Sequence, residues 1–472
     1  MRDWTPGYDA ARALWARGAG RAHGMGAGGV GMAALLDLLR ARGFAASGCD
    51  TAANRLTAWL EARGVPVARG HDAAHADAAD WLVHTAAVPA DHPELARARA
   101  RGIPVTPRGI ALAARMSAGH TIAVSGTHGK TTTASLLAQI LRAGGVDFSF
   151  AIGGEVDPLG GVAGAGRSDR AWLVAEADES DGTLAWYEPE VLVVNNVDFD
   201  HMEHFRDVGE FHAVFGRAMR QTRGTVLYGW EDPAARRLAE ACPDAISFGF
   251  GAGAQVRAGD WRPDAGAQRF TVWVHGSECA EVRLPMTGRH NALNALAALA
   301  AAQAAGVDWP DGAAALDRAV HARRRMEFAA RGPVTVVSDY AHHPAEIRAF
   351  LSAVREMPGE GRGRRIAIFQ PHRYTRTRAL GPDFGPAFEG VDRVILAPVY
   401  AASEAPIPGG ASADLLRHLQ EGRGYAAELA DSLDDAWNRA VRDLRPGDWI
   451  LLIGAGDIER LAAHARERWP DE

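Results

Sequence analysis

The sequence is poor in cysteine and carries no block of like charge. Its three cysteines, Cys49, Cys242 and Cys279, are far apart and odd in number. They form no C-x-x-C pair, which argues against a disulfide framework and for a reducing compartment. Long apolar runs are also missing. The alanine-rich stretch after Asn291 is interrupted by Asn294 and Gln303, so no segment is suited to span a bilayer. The opening residues, M-R-D-W-T-P-G-Y, hold no apolar signal core, and a soluble cytoplasmic protein is the expectation. Basic residues are scattered and the formal charge is −7, which gives no footprint for a nucleic-acid partner. What remains is 472 residues with 47% hydrophobic side chains, enough for buried cores and for about three domains.

The chain is organised around V-S-G-T-H-G-K-T-T-T, residues 124–133. Thr121 to Val124 predicts a strand. Gly126, Thr127, His128 and Gly129 form a tight loop, and Ala134 to Leu141 has helical spacing. Strand, glycine loop and helix together aim backbone N–H groups at phosphate oxygens, and the helix dipole favours their charge. In such a loop Lys130 reaches the β and γ phosphates of ATP and the Thr131 hydroxyl ligates Mg²⁺, with Thr132 beside it. The common phosphate loop has four residues between its glycines; here Gly126 and Gly129 enclose two, a shortened variant.

A second glycine loop lies near the start. Gly26, Gly28 and Gly31 satisfy G-x-G-x-x-G, Gly29 falls inside it, and Asp50 ends the apolar stretch Phe44 to Cys49. This is the pattern of a dinucleotide site with its ribose-binding acid. Its physical content is broader: a diphosphate at a helix N-terminus, which a UDP-sugar offers equally. Residues 1–20 predict a short helical or loose extension. His71 and Arg108 lie in loops where ligand contact and ordinary loop polarity are equally good readings.

In the middle third, the apolar strand ending at Ala175 runs into E-A-D-E-S-D (Glu176 to Asp181), and V-L-V-V-N-N-V runs into D-F-D-H, ending at His201. Strand C-termini line one edge of a parallel sheet, so both acidic runs are expected beside the phosphate loop. Glu176 suits Mg²⁺, which takes oxygen ligands. His201 and His204 form H-x-x-H, but without a nearby cysteine or third histidine zinc is the weaker reading. From Phe248 to Val282 apolar and polar residues alternate, predicting a small antiparallel sheet. Asn291 and Asn294 then lie three apart on a predicted helix. They are able either to pair with an adenine edge or to cap the helix.

In the last third, R-R-M-E-F (Arg324 to Phe328) precedes a strand that ends at Asp339 and delivers Tyr340, His342 and His343 into a loop. Arg373 and Arg376 follow the apolar run at Ile366 to Phe369; guanidinium groups are natural partners for a carboxylate. The segment L-L-I-G-A-G-D-I, residues 451–458, contains Ala455.

The loop G-T-H-G-K-T-T resembles that of the Mur ligase family, the ATP-dependent amide-forming enzymes of peptidoglycan precursor synthesis. G-x-H-N-x-L-N-A around Asn291 resembles the adenine-side motif of the same family, and four further stretches resemble the branch that joins L-alanine to UDP-N-acetylmuramate: G-x-G-G-x-G-M at Gly26 to Met32, F-Q-P-H-R-Y-T-R-T, Y-A-A-S-E-A-P-I-P-G and L-L-I-G-A-G-D-I. Two departures stand out. The usual lead-in R-x-H-F-V-G has Gly24 in place of its bulky residue, which is expected to loosen the first strand. Ser338 replaces the first acid of the usual D-D-Y-G-H-H-P.

The resemblance implies three α/β domains. These are a Rossmann-like UDP-substrate domain over 1–117, an ATPase domain with a mainly parallel sheet over 118–323, and a Rossmann-like amino-acid domain over 324–472. It implies that Glu176 and His201 hold a second Mg²⁺ (Mn²⁺ as an alternative) and that Arg325 reaches the ATP phosphates. Asn291 and Asn294 would lie at the adenine, and Asp339 is assigned to nucleotide ribose. Gly26, Gly28, Gly29, Gly31, Asp50, His71 and Arg108 would bind the UDP-substrate. Tyr340, His342, Arg373, Arg376 and Ala455 would hold L-alanine and the muramyl end. Catalysis would rest on Lys130, Glu176, His201 and Arg325, in a monomer or weak homodimer. Three alternatives stay open: a murein peptide ligase adding a recycled tripeptide to the same acceptor, a NAD-dependent dehydrogenase, and a nucleotide-binding protein without catalysis. The dehydrogenase leaves the ATP loop unexplained.

Overall fold

The computed structural model describes residues 3–199, 204–357, 363–402, 404–421 and 425–470. The expected metal ligand His201 lies outside the described residues. The chain divides into two compact units. One comprises Met1–Trp261, Arg269–Leu284 and Ala292–Ala322; the other comprises Arg262–Gln268, Pro285–Asn291 and Arg323–Glu472.

In the first unit, residues 5–17 form a helix, with Pro6 in its first turn and Gly18 closing it in the left-handed region at φ 66°. Tyr8, Ala11, Leu14 and Trp15 are buried, which is the spacing of one helical face. Trp15 Nε1 donates to the Ala111 carbonyl at 2.8 Å, so this segment is packed onto the helix Arg108–Met116. A five-stranded parallel sheet follows, and its central strand is Gly20–Met25. On one side lie Phe44–Asp50 and then Val67–Arg69; on the other lie Trp81–His84 and then Val105–Pro107. Chain order therefore reverses at Gly20–Met25, and it is beyond the strand C-termini at such a reversal that open α/β sheets bind ligands.

The expected loosening at Gly24 is absent. Gly24 is in register with both Gly48 and Val83. A Cβ there would come within 2.9 Å of Leu36 Cδ2 and Met32 Sδ. The volume of the usual bulky residue is filled from the following helix.

The second sheet has ten strands. Thr121–Ser125, which leads into the phosphate loop, lies between Trp172–Glu176 and Val191–Val194, parallel to both. It is buried throughout, as a strand covered on both faces must be. The expected antiparallel strands, Val256–Asp264, Ala267–Val274 and Ser277–Leu284, extend this same sheet and do not form a separate one. Two-residue turns join them, with Ala265 at φ 46° and Gly266 at 88°, then His275 at 48° and Gly276 at 82°. Paired positive φ values make tight hairpins, and strands joined by two residues run antiparallel. Ile246–Gly249, at the start of the alternating stretch, pairs parallel on both sides.

The second unit holds a six-stranded sheet in the order Glu327–Arg331, Thr335–Asp339, Trp449–Ile453, Arg365–Phe369, Arg393–Leu396, Ala426–Leu429. Only the first pair is antiparallel. Apolar residues fill the space between this sheet and helices on both faces. Among the described residues, no helix is long and apolar enough to cross a membrane.

Candidate functional site

Three groups of the expected residues are assembled, two in the first unit and one in the second. The phosphate loop turns on Gly126 at φ 126° and Gly129 at φ 81°. Close approach also demands glycine at Gly129, where a Cβ would come within 2.4 Å of Asn294 Oδ1. The helix Lys130–Ala143 starts immediately after it. The loop is held from the neighbouring strand end. Asn196 Oδ1 accepts from His128 N at 2.8 Å, and Asn195 Nδ2 donates to the His128 carbonyl at 3.3 Å. Thr127 Oγ1 donates to the Asp198 carbonyl at 2.8 Å and accepts from Asp198 N at 2.9 Å.

The Lys130 ammonium donates to the carbonyls of Gly126 and Thr127, at 2.7 and 3.2 Å, and to both oxygens of buried Glu179, at 3.0 and 2.9 Å. Burial works against its charge, but Glu179, Asp178 and Glu176 outweigh burial and hold Lys130 above the ordinary lysine value. Thr131 Oγ1 lies 3.2 Å from Glu176 Oε2, while the other Glu176 oxygen accepts from Gly153 N. A hydroxyl and a carboxylate oxygen so close are hard donors of the kind Mg²⁺ takes.

The first glycine loop is charged differently. Asp50 Oδ2 accepts from Gly28 N at 2.8 Å, and Asn54 Nδ2 donates to the Gly28 carbonyl at 3.1 Å. Gly26 sits against Thr85, from the loop after Trp81–His84. Gly29 caps the next helix, and Gly31 lies in its first turn. Arg108 supplies the cation from the helix it begins. A Cβ on Gly31 would come within 2.9 Å of Arg108 Nη1, and Arg108 Nη2 reaches Asp178 Oδ2 at 3.4 Å. Burial lowers its affinity for a proton, but Asp178 and Asp181 more than compensate. Arg108 therefore spans from the first glycine loop to the acidic run behind the phosphate loop. His71 does not join this loop; its Nδ1 lies 3.0 Å from Cys49 Sγ.

Asn291 and Asn294 are both buried on the helix Arg289–Ala304. Asn294 Oδ1 accepts from Thr133 Oγ1 at 3.3 Å, and Asn291 Nδ2 donates to the Thr287 carbonyl at 2.8 Å. Asn294 thus backs the phosphate helix.

In the second unit, Asp339 is buried at its strand end. It accepts from Met326 N and Ala341 N, each at 2.8 Å. Burial raises its pKa, and Arg325 pulls the other way. Two cations lie near the Tyr340 ring, the Arg324 guanidinium 4.7 Å and the Arg325 guanidinium 5.0 Å from its centre. His342 Nδ1 lies 3.0 Å from the Tyr340 carbonyl and 3.2 Å from Glu346. Its ring is 5.5 Å from that of His372, which stacks on Tyr400. Arg376 Nη1 contacts His372 Nδ1 at 3.3 Å. Burial first, then His342, Arg376 and Arg373, push His372 down to about 2, so it accepts from a neighbouring cation without charge of its own. Arg373, at φ 68°, approaches Glu404 at 3.9 Å. Ala455 lies in the loop after Trp449–Ile453. Ser338 is buried one residue inside its strand, away from the edge where Asp339 ends it.

Glu179, Asn195, Asn196 and Asn54 were not singled out by sequence. Glu179 stood in a run of four acids, and only position tells which faces the lysine. The Asn195-Asn196 pair directly after a buried strand was the available signal.

The chain matches three family descriptions in order: "Mur ligase family, catalytic domain" over residues 21–120, "Mur ligase middle domain" over 124–302 and "Mur ligase, glutamate ligase domain" over 324–456. A UDP-N-acetylmuramate–L-alanine ligase of Symbiobacterium thermophilum is 40% identical over 456 residues, covering 94% of this chain and 93% of the relative. The crystal structure of a UDP-N-acetylmuramate-alanine ligase from Thermotoga maritima superposes with a TM-score of 0.80 at 27% identity, over 95% of this chain and 99% of the other. A murein peptide ligase from Psychrobacter arcticus shares the fold at 23% identity and a TM-score of 0.71, over 94% and 98% of the two chains. With three consecutive matches and near-complete overlap with its relatives, the chain belongs to the Mur ligase family.

Proposed function

We propose that this protein is an ATP-dependent ligase that joins L-alanine to UDP-N-acetylmuramate in the cytoplasm. The observation that carries the reading is the near-full-length identity to alanine ligases. The cluster of Lys130, Thr131, Glu176 and Glu179 supports it.

The γ-phosphoryl group passes from ATP to the lactyl carboxylate. A P–O bond to ADP breaks and a P–O bond to the carboxylate forms. The alanine amine then attacks the acyl carbon, and phosphate leaves as the amine loses its proton. Phosphoryl transfer of this kind depends on positioning and charge neutralisation. Lys130 supplies a mobile cation on a rigid loop, and Glu179 holds that cation until phosphate competes for it. Thr131 and Glu176 would hold Mg²⁺ or Mn²⁺, which supplies charge neutralisation at the phosphates. We assign Arg325 to the ATP phosphates, Asn291 and Asn294 to the adenine side and Asp339 to the ribose. Arg108 and the loop Gly26–Gly31 bind the UDP diphosphate, with Asp50 at the ribose. Tyr340, His342, Arg373, Arg376 and Ala455 position L-alanine. The working form is a monomer or a weak dimer.

The test is ADP release with ATP, Mg²⁺ and UDP-N-acetylmuramate, with L-alanine and L-Ala-γ-D-Glu-diaminopimelate offered in parallel. Turnover with alanine alone is expected. Turnover with the tripeptide alone would make the protein a recycling ligase, and no turnover with either would overturn the acceptor assignment.

A further inference from the structure

Beneath the first glycine loop lies a largely buried group of side chains, His75 alone being half-buried, that the ligase reaction does not use. His23 comes from the strand Gly20–Met25 and Cys49 from Phe44–Asp50. His75 comes from the short 3-10 helix Ala73–Ala78 and Glu94 from the helix Pro93–Ala100. One ligand atom from each lies within 4.8 Å of all the others. His23 Nε2 is 3.3 Å from Cys49 Sγ and 3.2 Å from Glu94 Oε1. Cys49 Sγ is 3.8 Å from Glu94, and His75 Nδ1 is 3.4 Å from Glu94 Oε1. A tetrahedral ion with bonds of about 2.0 Å to N and O and about 2.3 Å to S separates its ligand atoms by roughly 3.3–3.5 Å. Four of the separations here, 3.2 to 3.8 Å, lie near that spacing, and all the ligand atoms fall within 4.8 Å of one another.

Three further observations point to an ion. His75 Nδ1 is buried and has no hydrogen-bond partner. The His23 ring is fixed from behind, its Nδ1 2.9 Å from Ser47 Oγ, which turns Nε2 into the cluster as an outer hydrogen bond does for a metal-bound imidazole. Glu94 is completely buried, and the ion-pair partners around it are the imidazoles of His23, His71 and His75, at 3.2, 3.9 and 3.4 Å, with no lysine or arginine among the described residues paired to it. A dication with one thiolate and one carboxylate is neutral.

We infer that His23, Cys49, His75 and Glu94 form a binding site for a zinc-class divalent cation. Nitrogen and thiolate donors select Zn²⁺ over Mg²⁺. Binding exchanges the Cys49 S–H bond for an S–metal bond and releases one proton to solvent. Burial, with Glu94 adding to it, raises the Cys49 pKa, so that proton is present before the ion arrives. The site ties together four elements that are separated along the chain. It also fixes the glycine loop, because the Cys49 carbonyl accepts from Gly26 N at 2.9 Å and from Ala27 N at 3.0 Å.

The test is Co²⁺ titration of the chelator-treated full-length protein, with millimolar Mg²⁺ present to fill oxygen-rich sites. Expected are one tightly held equivalent, visible bands of a tetrahedral ion and a sulfur-to-cobalt charge-transfer band, all displaced by Zn²⁺. Zn²⁺ should raise Tm. Cys49→Ser should abolish the charge-transfer band, and both it and His75→Gln should weaken Zn²⁺ binding at least about tenfold. The wild-type spectrum decides the matter even if a variant fails to fold. Absence of a thiolate band in the wild-type protein, or its persistence in Cys49→Ser, would overturn the site.

Discussion

The loops at Gly26–Gly29 and Gly126–Gly129 are built alike. Each follows a buried strand, turns on a glycine at positive φ and opens a helix. They differ in where their charge sits. The second loop carries its own cation, Lys130, restrained by Glu179 and faced by Glu176. The first has none and borrows Arg108 from another helix, while Asp50 and Asn54 hold its backbone. On the proposed assignment, one frame serves two tasks. A loop that only anchors a diphosphate needs oriented N–H groups and a fixed counter-charge. A loop that moves a phosphoryl group needs a cation able to shift with it.

Removing each cation separates the two tasks. Lys130→Ala should cost at least about a thousandfold in kcat, with calorimetric affinity for UDP-N-acetylmuramate nearly unchanged. An enzyme retaining a tenth of its turnover would dissolve the distinction. Arg108→Ala should raise KM for the UDP-substrate by about 10- to 100-fold, a loss of about 1.4 to 2.8 kcal/mol, with a smaller effect on kcat. If KM for ATP rises instead, Arg108 serves the acidic run through Asp178. Glycine substitutions compare the frames themselves. Gly129→Ala must place a Cβ at φ 81° against Asn294, and should destabilise by about 1–3 kcal/mol, read as a lower Tm. Gly31→Ala meets only the side-chain end of Arg108, not backbone, and should cost under about 1 kcal/mol.

The smallest effect concerns the second unit. Burial, with Arg325 contributing, lowers the His290 pKa from 6.5 to about 4. Between those values the unfolded chain holds a proton that the folded chain does not, so stability falls on acidification through this window. The slope is at most about 1.4 kcal/mol per pH unit. His290→Gln should flatten the dependence of Tm on pH between 4 and 6.5; an unchanged slope would assign the titration elsewhere.

Much of this frame was legible in the sequence because it is local. A strand, two glycines and a helix announce themselves within ten residues, and so did both loops. Contacts made by folding were not. Nothing local distinguishes Glu179 from Asp178 or Asp181, yet only Glu179 is fully buried against Lys130. His71 read as a loop residue near the substrate, but Cys49 draws its ring to the buried cluster. Asn294 read as an adenine contact or a cap, and its amide backs the phosphate helix. The alternating stretch after Phe248 read as a separate sheet because alternation reports a strand, not which neighbour it pairs with.

Gly24 has a consequence for descent. Leu36 and Met32 occupy the space that the bulky residue of the R-x-H-F-V-G lead-in would need. Restoring that side chain alone would overpack the strand, at a cost of about 1–3 kcal/mol, and trimming the helix alone would leave a hole. The two positions are thus locked in sign epistasis: either reversal is deleterious until the other has occurred. A redesign that copies the family majority one residue at a time should stall here and succeed only with strand and helix exchanged together.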